Sequence, residues 1–453
     1  MGDTRVEPTL PSGFRDTAPE VMILKRHILT ILISIFERYG FEPFGSATVQ
    51  FLNVLFGADE WTDMSFFKAL NTRRRAGGGR ADTGLKFDQT VPLGRFVAEH
   101  FQELPRPFLR WEVGDAFRGE RPSETRFCQF TQCDVDVVFA PGMISDAQII
   151  ALMDECMRVM RVNTHCILLN NRKILDGLPE RIDFPKQDLS KVLGVLDSKD
   201  KLEEGHTLEG DLLALKTDDE AKLLDASQVA EILRFIDVRG TSLIRLAQIK
   251  AFMGENQIAQ QGCSELEEIL RYLDLFGVDP SRISIEPSMV RGLGYYTGPI
   301  FETVLTDSLE TGSVFSGGRY DNLVERFVEM PAPATGAAFG IDRFLVYAQQ
   351  KRLFTLPKTV SRVLVAYRPT EGCLQRAIQV AQAIRAMGEN TVLYDGADLG
   401  LRPQIGRAKM LGIPWVVIIG EAELASGQVT LKDMNRPGWQ ESMGLARLGS
   451  LIR

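Results

Sequence analysis

The stretch FRGERPSETRFCQFTQCDVDVV, residues 117–138, decides the fold. Residues 108–118 carry the alternating, aromatic and β-branched pattern of a strand, and residues 126–138 carry it again. Between them GERPSET is rich in turn formers, so the segment reads as an antiparallel hairpin with a long loop. Strand side chains alternate between faces, which puts Arg126, Phe130, Gln132, Asp134 and Asp136 on one parity and Phe127, Cys133, Val135 and Val137 on the other. One face is polar and the other mainly apolar. With Arg118 and Glu120 of the adjoining loop, the polar face offers what a phosphate, an aromatic ring and a charged amine require. A solvated sheet face accounts for the same residues equally well.

Upstream, Asp16 and Thr17 are capping residues, Pro19 suits a first helical turn, and the apolar run that follows stops at Gly40. The pattern predicts a helix with more than one face buried, either in a dimer interface or deep in a core. Downstream, a helical pattern spans about 145–160, and a Lys/Glu/Leu-rich stretch at 176–261 predicts a peripheral helical insertion. Strand patterns return at 283–285, 300–305 and 312–316, before an Ala/Gly-rich segment leads into a helix near Phe339. Pro357 marks a boundary within 353–361. Beyond it the chain alternates strand (362–367), helix (373–387, ended by Gly388), strand (391–394), helix (403–411) and strand (415–419). That alternation predicts a small sheet with parallel pairing. No Gly-rich dinucleotide fingerprint follows its first strand, so it reads as a protein or RNA contact surface.

At 453 residues the chain exceeds one ordinary core, and roughly 100–200 residues per domain predicts two to four domains. Its 44% apolar and 25% charged content is that of a globular protein. The net charge of −8 argues against broad nonspecific nucleic-acid binding, though local patches such as Arg73, Arg74, Arg75 and Arg80 fit either an RNA contact or a solvated hairpin tip. The apolar run 22–36 contains Lys25, Arg26 and His27 and is shorter than the ~20 residues of a membrane span, so no membrane association is expected. The N-terminal residues lack the basic and apolar regions of a signal peptide, and the expectation is a cytoplasmic protein. Six cysteines without a C-x-x-C pair, and only four histidines, predict reduced, mostly buried thiols and no protein-held metal.

The chain has no phosphate-binding P-loop, no H-E-x-x-H helix and no nucleophile elbow. The hairpin at 117–138, however, resembles motif 2 of the class II aminoacyl-tRNA synthetases in its histidyl form. LKFDQTVPLGRFVAEH (85–100) resembles that family's histidine-binding segment, and VRGLGYYTGPIFE (290–302) a motif peculiar to histidyl enzymes. SGGRYDNLV (316–324) resembles the strand turn after it, and ATGAAFGIDRF (334–344) resembles motif 3. With the C-terminal unit the resemblance covers nearly the whole chain. It implies an α/β chain with an α+β catalytic core: a class II antiparallel sheet flanked by helices at 1–352, a helical insertion at 176–261, and an α/β anticodon-binding-like domain at 361–453.

The implied activity is ATP-dependent activation of histidine to histidyl-adenylate, then transfer to the 3′ end of tRNA(His), with Mg²⁺ carried mainly by ATP and the chain a homodimer. Position by position, the resemblance makes Arg118, Glu120, Arg126, Phe130 and Arg343 ATP-binding, with Phe130 stacking on adenine. Asp88, Thr90 and Gln132 fall around the α-amino group, Asp136 and Tyr296 at the imidazole, and Arg291, Tyr295 and Tyr320 complete the histidine site. Arg291 and Arg118 are the implied catalytic cations, and Arg121 faces the tRNA acceptor end. In the C-terminal unit Arg402, Arg407 and Lys409 suit either RNA or a solvated helix face. Arg343 near a helix start opposes the helix dipole unless an anion is present, whether triphosphate or Asp342.

The sequence departs from the family at Gly294, where Asp is usual, and at Cys128, where Arg is common. Asp88 and Asp136 replace the Glu of many bacterial forms. The competing reading is a noncatalytic paralogue such as an ATP phosphoribosyltransferase regulatory subunit. Such subunits normally lack the anticodon-binding domain and the intact arginine motif. A purely tRNA-binding module has no use for a phosphate site beside a histidine pocket.

Overall fold

A computed structural model describes residues 6–56, 66–69, 82–119, 121–123, 126–199, 206–290, 295–396 and 400–452. The chain divides into two compact units, one of Met1–Arg15 with Ile28–Leu353, the other of Asp16–His27 with Phe354–Arg453.

Helix α1 (Pro19–Arg38) forms where the capping and proline signals put it, and Gly40 leaves it at φ +83°, a conformation that glycine reaches without strain. Its fully buried residues, Ile28, Leu32, Ile35 and Phe36, form one stripe, while Leu29, Ile31 and Ile33 are half-buried. The expected burial of a second face is therefore not met within the single chain. After α1 come β1 (Glu42–Pro43), β2 (Val49–Phe51), α2 (Leu52–Phe56), β3 (Lys68–Ala69), β4 (Thr83–Leu85) and α3 (Thr90–Glu99). The hairpin follows as β5 (Phe108–Phe117) and β6 (Gln129–Val138), in register from Phe108 opposite Val138 to Phe117 opposite Gln129. Next are α4 (Met143–Val159) and β7 (His165–Asn171).

A helical run then comprises α5 (Arg172–Asp176), α6 (Leu178–Ile182), α7 (Leu189–Asp197), α8 (Leu208–Leu213), α9 (Ala226–Ile236), α10 (Ser242–Met253) and α11 (Gln257–Leu275). Asn171, Thr207, Asp225 and Asn256 cap α5, α8, α9 and α11 through side-chain oxygens that accept backbone N–H groups. The run reaches beyond the 176–261 expected from composition. The stripe Ala259, Cys263, Leu266, Ile269 and Leu273 of α11 is buried, and the helix packs on α4, α5 and β7.

The sheet resumes with β8 (Ile283–Ile285), β9 (Pro299–Leu305), β10 (Phe315–Arg319) and β11 (Ala334–Gly340), followed by α12 (Ile341–Gln350). Eight strands order as β1-β5-β6-β11-β10-β9-β7-β8. The six inner strands pair antiparallel and a parallel strand closes each edge, so the expected antiparallel sheet is mixed at its margins. Three expectations change. The Ala/Gly-rich segment is a central strand rather than a lead-in, the strand expected at 312–316 lies at Phe315–Arg319, and β7 was not anticipated. Ala and Gly have low strand propensity, but between two neighbours their small size lets adjacent side chains lie over the backbone.

The second unit contains β12 (Val363–Tyr367), α13 (Glu371–Ala386), β13 (Thr391–Leu393), α14 (Leu401–Leu411), β14 (Trp415–Ile419), α15 (Glu421–Ser426), β15 (Val429–Asp433), β16 (Gln440–Met443) and α16 (Leu445–Ile452). Its sheet runs β13-β12-β14-β15-β16: the first three strands are parallel as expected, and the last two add an antiparallel edge that was not. None of the six cysteines forms a disulfide; five are buried and Cys166 is half-buried. Among the described residues no helix is long and apolar enough to cross a membrane.

Candidate active site

Most of the polar parity of β6 is shielded from bulk water. Gln132, Asp134 and Asp136 are all buried and face one cavity of about 420 Å³ in the first unit. For these three residues the reading as a solvated surface is overturned, while Phe130 is half-buried and Arg126 exposed. Ten of the anticipated residues line that cavity: Asp88, Thr90, Arg118, Arg126, Phe130, Gln132, Asp136, Tyr295, Tyr296 and Arg343. Tyr320 reaches it indirectly, donating its hydroxyl to Asp136 Oδ1. Arg121 is exposed and does not line it. Glu120, Arg291 and Gly294, together with Arg73, Arg74, Arg75 and Arg80, lie outside the described residues.

Arg118, just past β5, donates Nε to the Phe87 carbonyl at 3.1 Å and sets its guanidinium 5.1 Å from the Phe130 ring. That contact holds a cation beside an aromatic face. Arg343 lies in the first turn of α12, where Nη1 donates to the Ser313 carbonyl at 3.1 Å. Asp342 beside it is engaged elsewhere. Its carboxylate accepts Arg15 Nη2 at 2.7 Å on Oδ1 and the Thr131 backbone N–H at 2.6 Å on Oδ2. Arg15 in turn lies 3.7 Å over the Phe127 ring. Near it Cys128 N donates to Gly13 O at 2.8 Å, and the Sγ of Cys128 occupies the space a Cβ on Gly13 needs. Cys128 thus packs against the N-terminal segment instead of presenting a charge to the cavity.

The rest of the lining is mainly acidic and aromatic. Asp88 Oδ1 accepts the Val91 backbone N–H at 3.0 Å at the start of α3, and its Oδ2 accepts the Tyr295 hydroxyl at 3.2 Å. Tyr295 stands between Tyr296 and Tyr320, with ring centroids 4.9 and 5.9 Å away. Asp136 Oδ2 is 2.8 Å from Arg110 Nη2, an ionic contact whose alignment falls short of a hydrogen bond. Arg110 is wholly buried, and Nη2 also donates to the Gln89 carbonyl at 3.2 Å. Burial pushes the carboxyls of Asp88 and Asp136 up, against the pull of Arg118 and a backbone N–H on the first and of Arg110 and Tyr320 on the second. Burial likewise raises the Tyr295 and Tyr320 phenols well above their ordinary value, so both remain donors.

Cross-strand register explains the room between these groups. Asp136 pairs with Gly336 of β11, which pairs with Gly318 of β10. A Cβ at Gly336 overlaps the Asp136 carboxylate, and one at Gly318 comes within 2.8 Å of the Tyr296 ring. Sequence reasoning missed the second layer beneath this face: Lys86 Nζ meets Glu112 Oε1 at 3.0 Å, and Arg110 Nη1 meets Glu112 Oε2 at 3.4 Å. Glu302, which also lines the cavity, was not singled out, and Asp134 was placed on the polar face without a role in the site. The carboxylate at every second residue of QCDVDVV was the available signal for Asp134.

Comparison with known proteins agrees with this geometry. Residues 13–344 match the family model for histidyl-tRNA synthetase, and residues 360–453 match an anticodon binding domain. The chain is 34% identical to a histidine–tRNA ligase of Wolinella succinogenes over 95% of its length and 94% of the relative's. It is 32% identical to one of Clostridium tetani, over 99% and 98%. The crystal structure of the histidyl-tRNA synthetase from Nostoc sp. superposes with a TM-score of 0.81 at 29% identity, covering 99% of both chains. An ATP phosphoribosyltransferase regulatory subunit/histidyl-tRNA synthetase from Bacillus halodurans shares the fold, at TM-score 0.72 and 20% identity. With the family model spanning most of the chain and relatives aligned nearly end to end, this protein belongs to the histidyl-tRNA synthetase family.

Proposed function

We propose that the chain activates histidine with ATP and transfers the histidyl group to tRNA(His). The supporting observation is convergence: Arg118, Phe130 and Arg343 line the same cavity as Asp88, Thr90, Gln132, Asp136 and Tyr296, although they come from four separate segments. In this reading Arg118 and Arg343 bind the triphosphate with Glu120 and Arg126 beside them, and Phe130 stacks on adenine. The α-ammonium of histidine is received by Asp88, Thr90 and Gln132, whose Oε1 has no hydrogen-bond partner among the described residues. The imidazole lies toward Asp136 and Tyr296, with Tyr295 and Tyr320 packed behind.

The histidine carboxylate, ionised at neutral pH, attacks the α-phosphorus of ATP and pyrophosphate leaves, so no general base is needed. Arg118 and Arg291 are the cations assigned to the charge that develops on the α-phosphate. The 3′-terminal hydroxyl of tRNA then attacks the adenylate carbonyl and AMP leaves. Mg²⁺ travels with the triphosphate, which supplies most of its oxygen shell, and the cavity carboxylate Glu302 is a hard oxygen donor of the kind it accepts. Exposed Arg121 in the hairpin loop suits the acceptor end, and the unit from residue 360 onward suits the anticodon. The domain reading is the same: catalytic residues 1–352, interrupted by the helical insertion, and a tRNA-binding unit at 361–453.

A homodimer fits the edge strand β2, where Val49 and Phe51 are exposed while Gln50 between them is buried, the reverse of a strand facing water. Light scattering at micromolar concentration is expected to give twice the chain mass, and a monomer refutes the dimer. A cytoplasmic location accords with this activity. The deciding experiment is ATP–pyrophosphate exchange. Purified protein with Mg²⁺ is expected to exchange with histidine and with no other standard amino acid, and Arg343→Ala is expected to lower kcat/KM for ATP at least ~100-fold. Histidine binding without exchange favours a regulatory paralogue instead.

A further inference from the structure

Among the carboxylates that line the cavity, Asp342 directly precedes Arg343 in the first turn of α12. Arg118, Arg126 and Arg343 are the arginines of that lining, and in the reading given above they receive a triphosphate. A carboxylate among them opposes the same ligand, since like charges a few ångströms apart in a poorly solvated site repel strongly. The Asp342 side chain is only 12% exposed, so water and salt screen it little. Two groups answer its charge: the Thr131 N–H of β6 donates to Oδ2 at 2.6 Å, and Arg15 Nη2 donates to Oδ1 at 2.7 Å. Of these two, only the arginine carries a full positive charge.

Arg15 does not itself line the cavity. It belongs to the N-terminal segment, which is fastened along the return limb of the hairpin. Gly13 O accepts the Cys128 N–H at 2.8 Å, the Arg15 guanidinium lies 3.7 Å over the Phe127 ring, and Asp342 joins Arg15 to the backbone of Thr131. Phe127, Phe130 and Thr131 of this limb all line the cavity. The aromatic face under the guanidinium and the carboxylate at its edge together hold a long, partly exposed side chain in one place. The acid has its own reason to be there: a carboxylate in a first helical turn is favoured by the helix dipole, and its bond to Thr131 ties α12 to β6.

We propose that Arg15 is a positioning residue for the nucleotide: by neutralising Asp342 it keeps that carboxylate from repelling the triphosphate and leaves the charge of Arg118, Arg126 and Arg343 to the ligand. The proposal rests on the reading of this cavity as an ATP site. Arg15 acts through Asp342, so its effect is electrostatic and falls on the phosphates, while the histidine groups of the same cavity are spared.

The test is ATP–pyrophosphate exchange by the full chain carrying Arg15→Gln, which keeps a hydrogen-bond donor for Asp342 but removes the charge. The KM for ATP is expected to rise about 10- to 100-fold, and the KM for histidine to change less than about threefold. Adding Asp342→Asn, which retains an acceptor for the Thr131 N–H, is expected to recover most of that loss, and Arg15→Lys is expected to avoid most of it. A folded Arg15→Gln protein with the parent KM for ATP overturns the proposal. So does a loss that Asp342→Asn fails to recover, or one that falls equally on ATP and histidine, because either marks a packing role rather than a charge. Asp342→Asn alone supplies the arm that stands if Arg15→Gln does not fold: with Arg15 left unopposed the KM for ATP is expected to fall, and an unchanged or higher value overturns the proposal. If the unmodified protein neither binds ATP nor supports exchange, the functional reading itself fails, an outcome distinct from exchange that is intact but indifferent to Arg15.

Discussion

Gly336 shows how a residue without a side chain defines a site. The Asp136 carboxylate lies where a Cβ at Gly336 would stand, and the Val135 carbonyl is within 2.7 Å of that same point. Gly336→Ala must therefore displace the acid, and displacements of about 1 Å at a reacting or binding group cost on the order of 100-fold. The expected outcome is a histidine KM raised more than ~10-fold, with a smaller change for ATP, read from exchange kinetics. At this scale much of the site was legible in the chain. Strand parity alone put Phe130, Gln132 and Asp136 together, and the motif resemblance added Asp88, Thr90, Tyr296 and Arg343, all of which line the cavity. The partners of those residues were not legible. Arg110, Lys86 and Glu112 look like ordinary strand and loop charges until the sheet buries them, and nothing near Asp342 in sequence points to Arg15, 327 positions away.

Between elements, one buried acid joins three of them. Asp154 of α4 contacts His165 Nε2 of β7 at 2.8 Å, Arg282 Nη1 just before β8 at 2.9 and 3.0 Å, and Arg158 Nε one helical turn on at 2.8 Å. Although burial alone would raise it, hydrogen bonds from His165, Arg282 and Arg158 bring its pKa from 3.8 to about 2. A depressed carboxyl contributes stability that is fully present above the unfolded value and is lost as pH falls through the folded one. Asp154 is thus expected to contribute about 2 kcal/mol at neutral pH, disappearing between about pH 4 and pH 2. Asp154→Asn is expected to cost more, about 3 to 5 kcal/mol, because it leaves Arg282 facing a neutral amide, and to flatten the acid limb of the stability curve in urea titrations. A variant with the parent's acid limb contradicts the assignment. Strands made of β-branched residues, such as Ile283–Ile285, were legible because propensity and environment agree there. The Ala/Gly strand β11 was not, since its pairing with β6 and β10 overrides a composition unsuited to a strand.

For the whole molecule, the two units imply that local damage in one can spare the other. Gln404 of α14 is fully buried and grips the end of β12 at both backbone groups, accepting Tyr367 N–H at 2.9 Å and donating to Tyr367 O at 2.8 Å. Gln404→Ala strands both groups, at about 1 to 3 kcal/mol each. Calorimetry is expected to show one unfolding transition lowered and another unmoved, with tRNA charging lost at temperatures where pyrophosphate exchange persists; a uniform shift of the whole profile contradicts independent units. By itself the sequence determined the hairpin, the helical run, the parallel half of the second sheet and the polar parity that lines the cavity, because each follows from the period-2 or period-3.6 spacing of neighbours along the chain. Only the tertiary structure decided that Gln132, Asp134 and Asp136 of this polar face are buried, that β11 is a strand, and that Asp342 belongs to Arg15. Burial and charge pairing depend on which distant segments a sheet brings alongside, and local spacing carries no record of that.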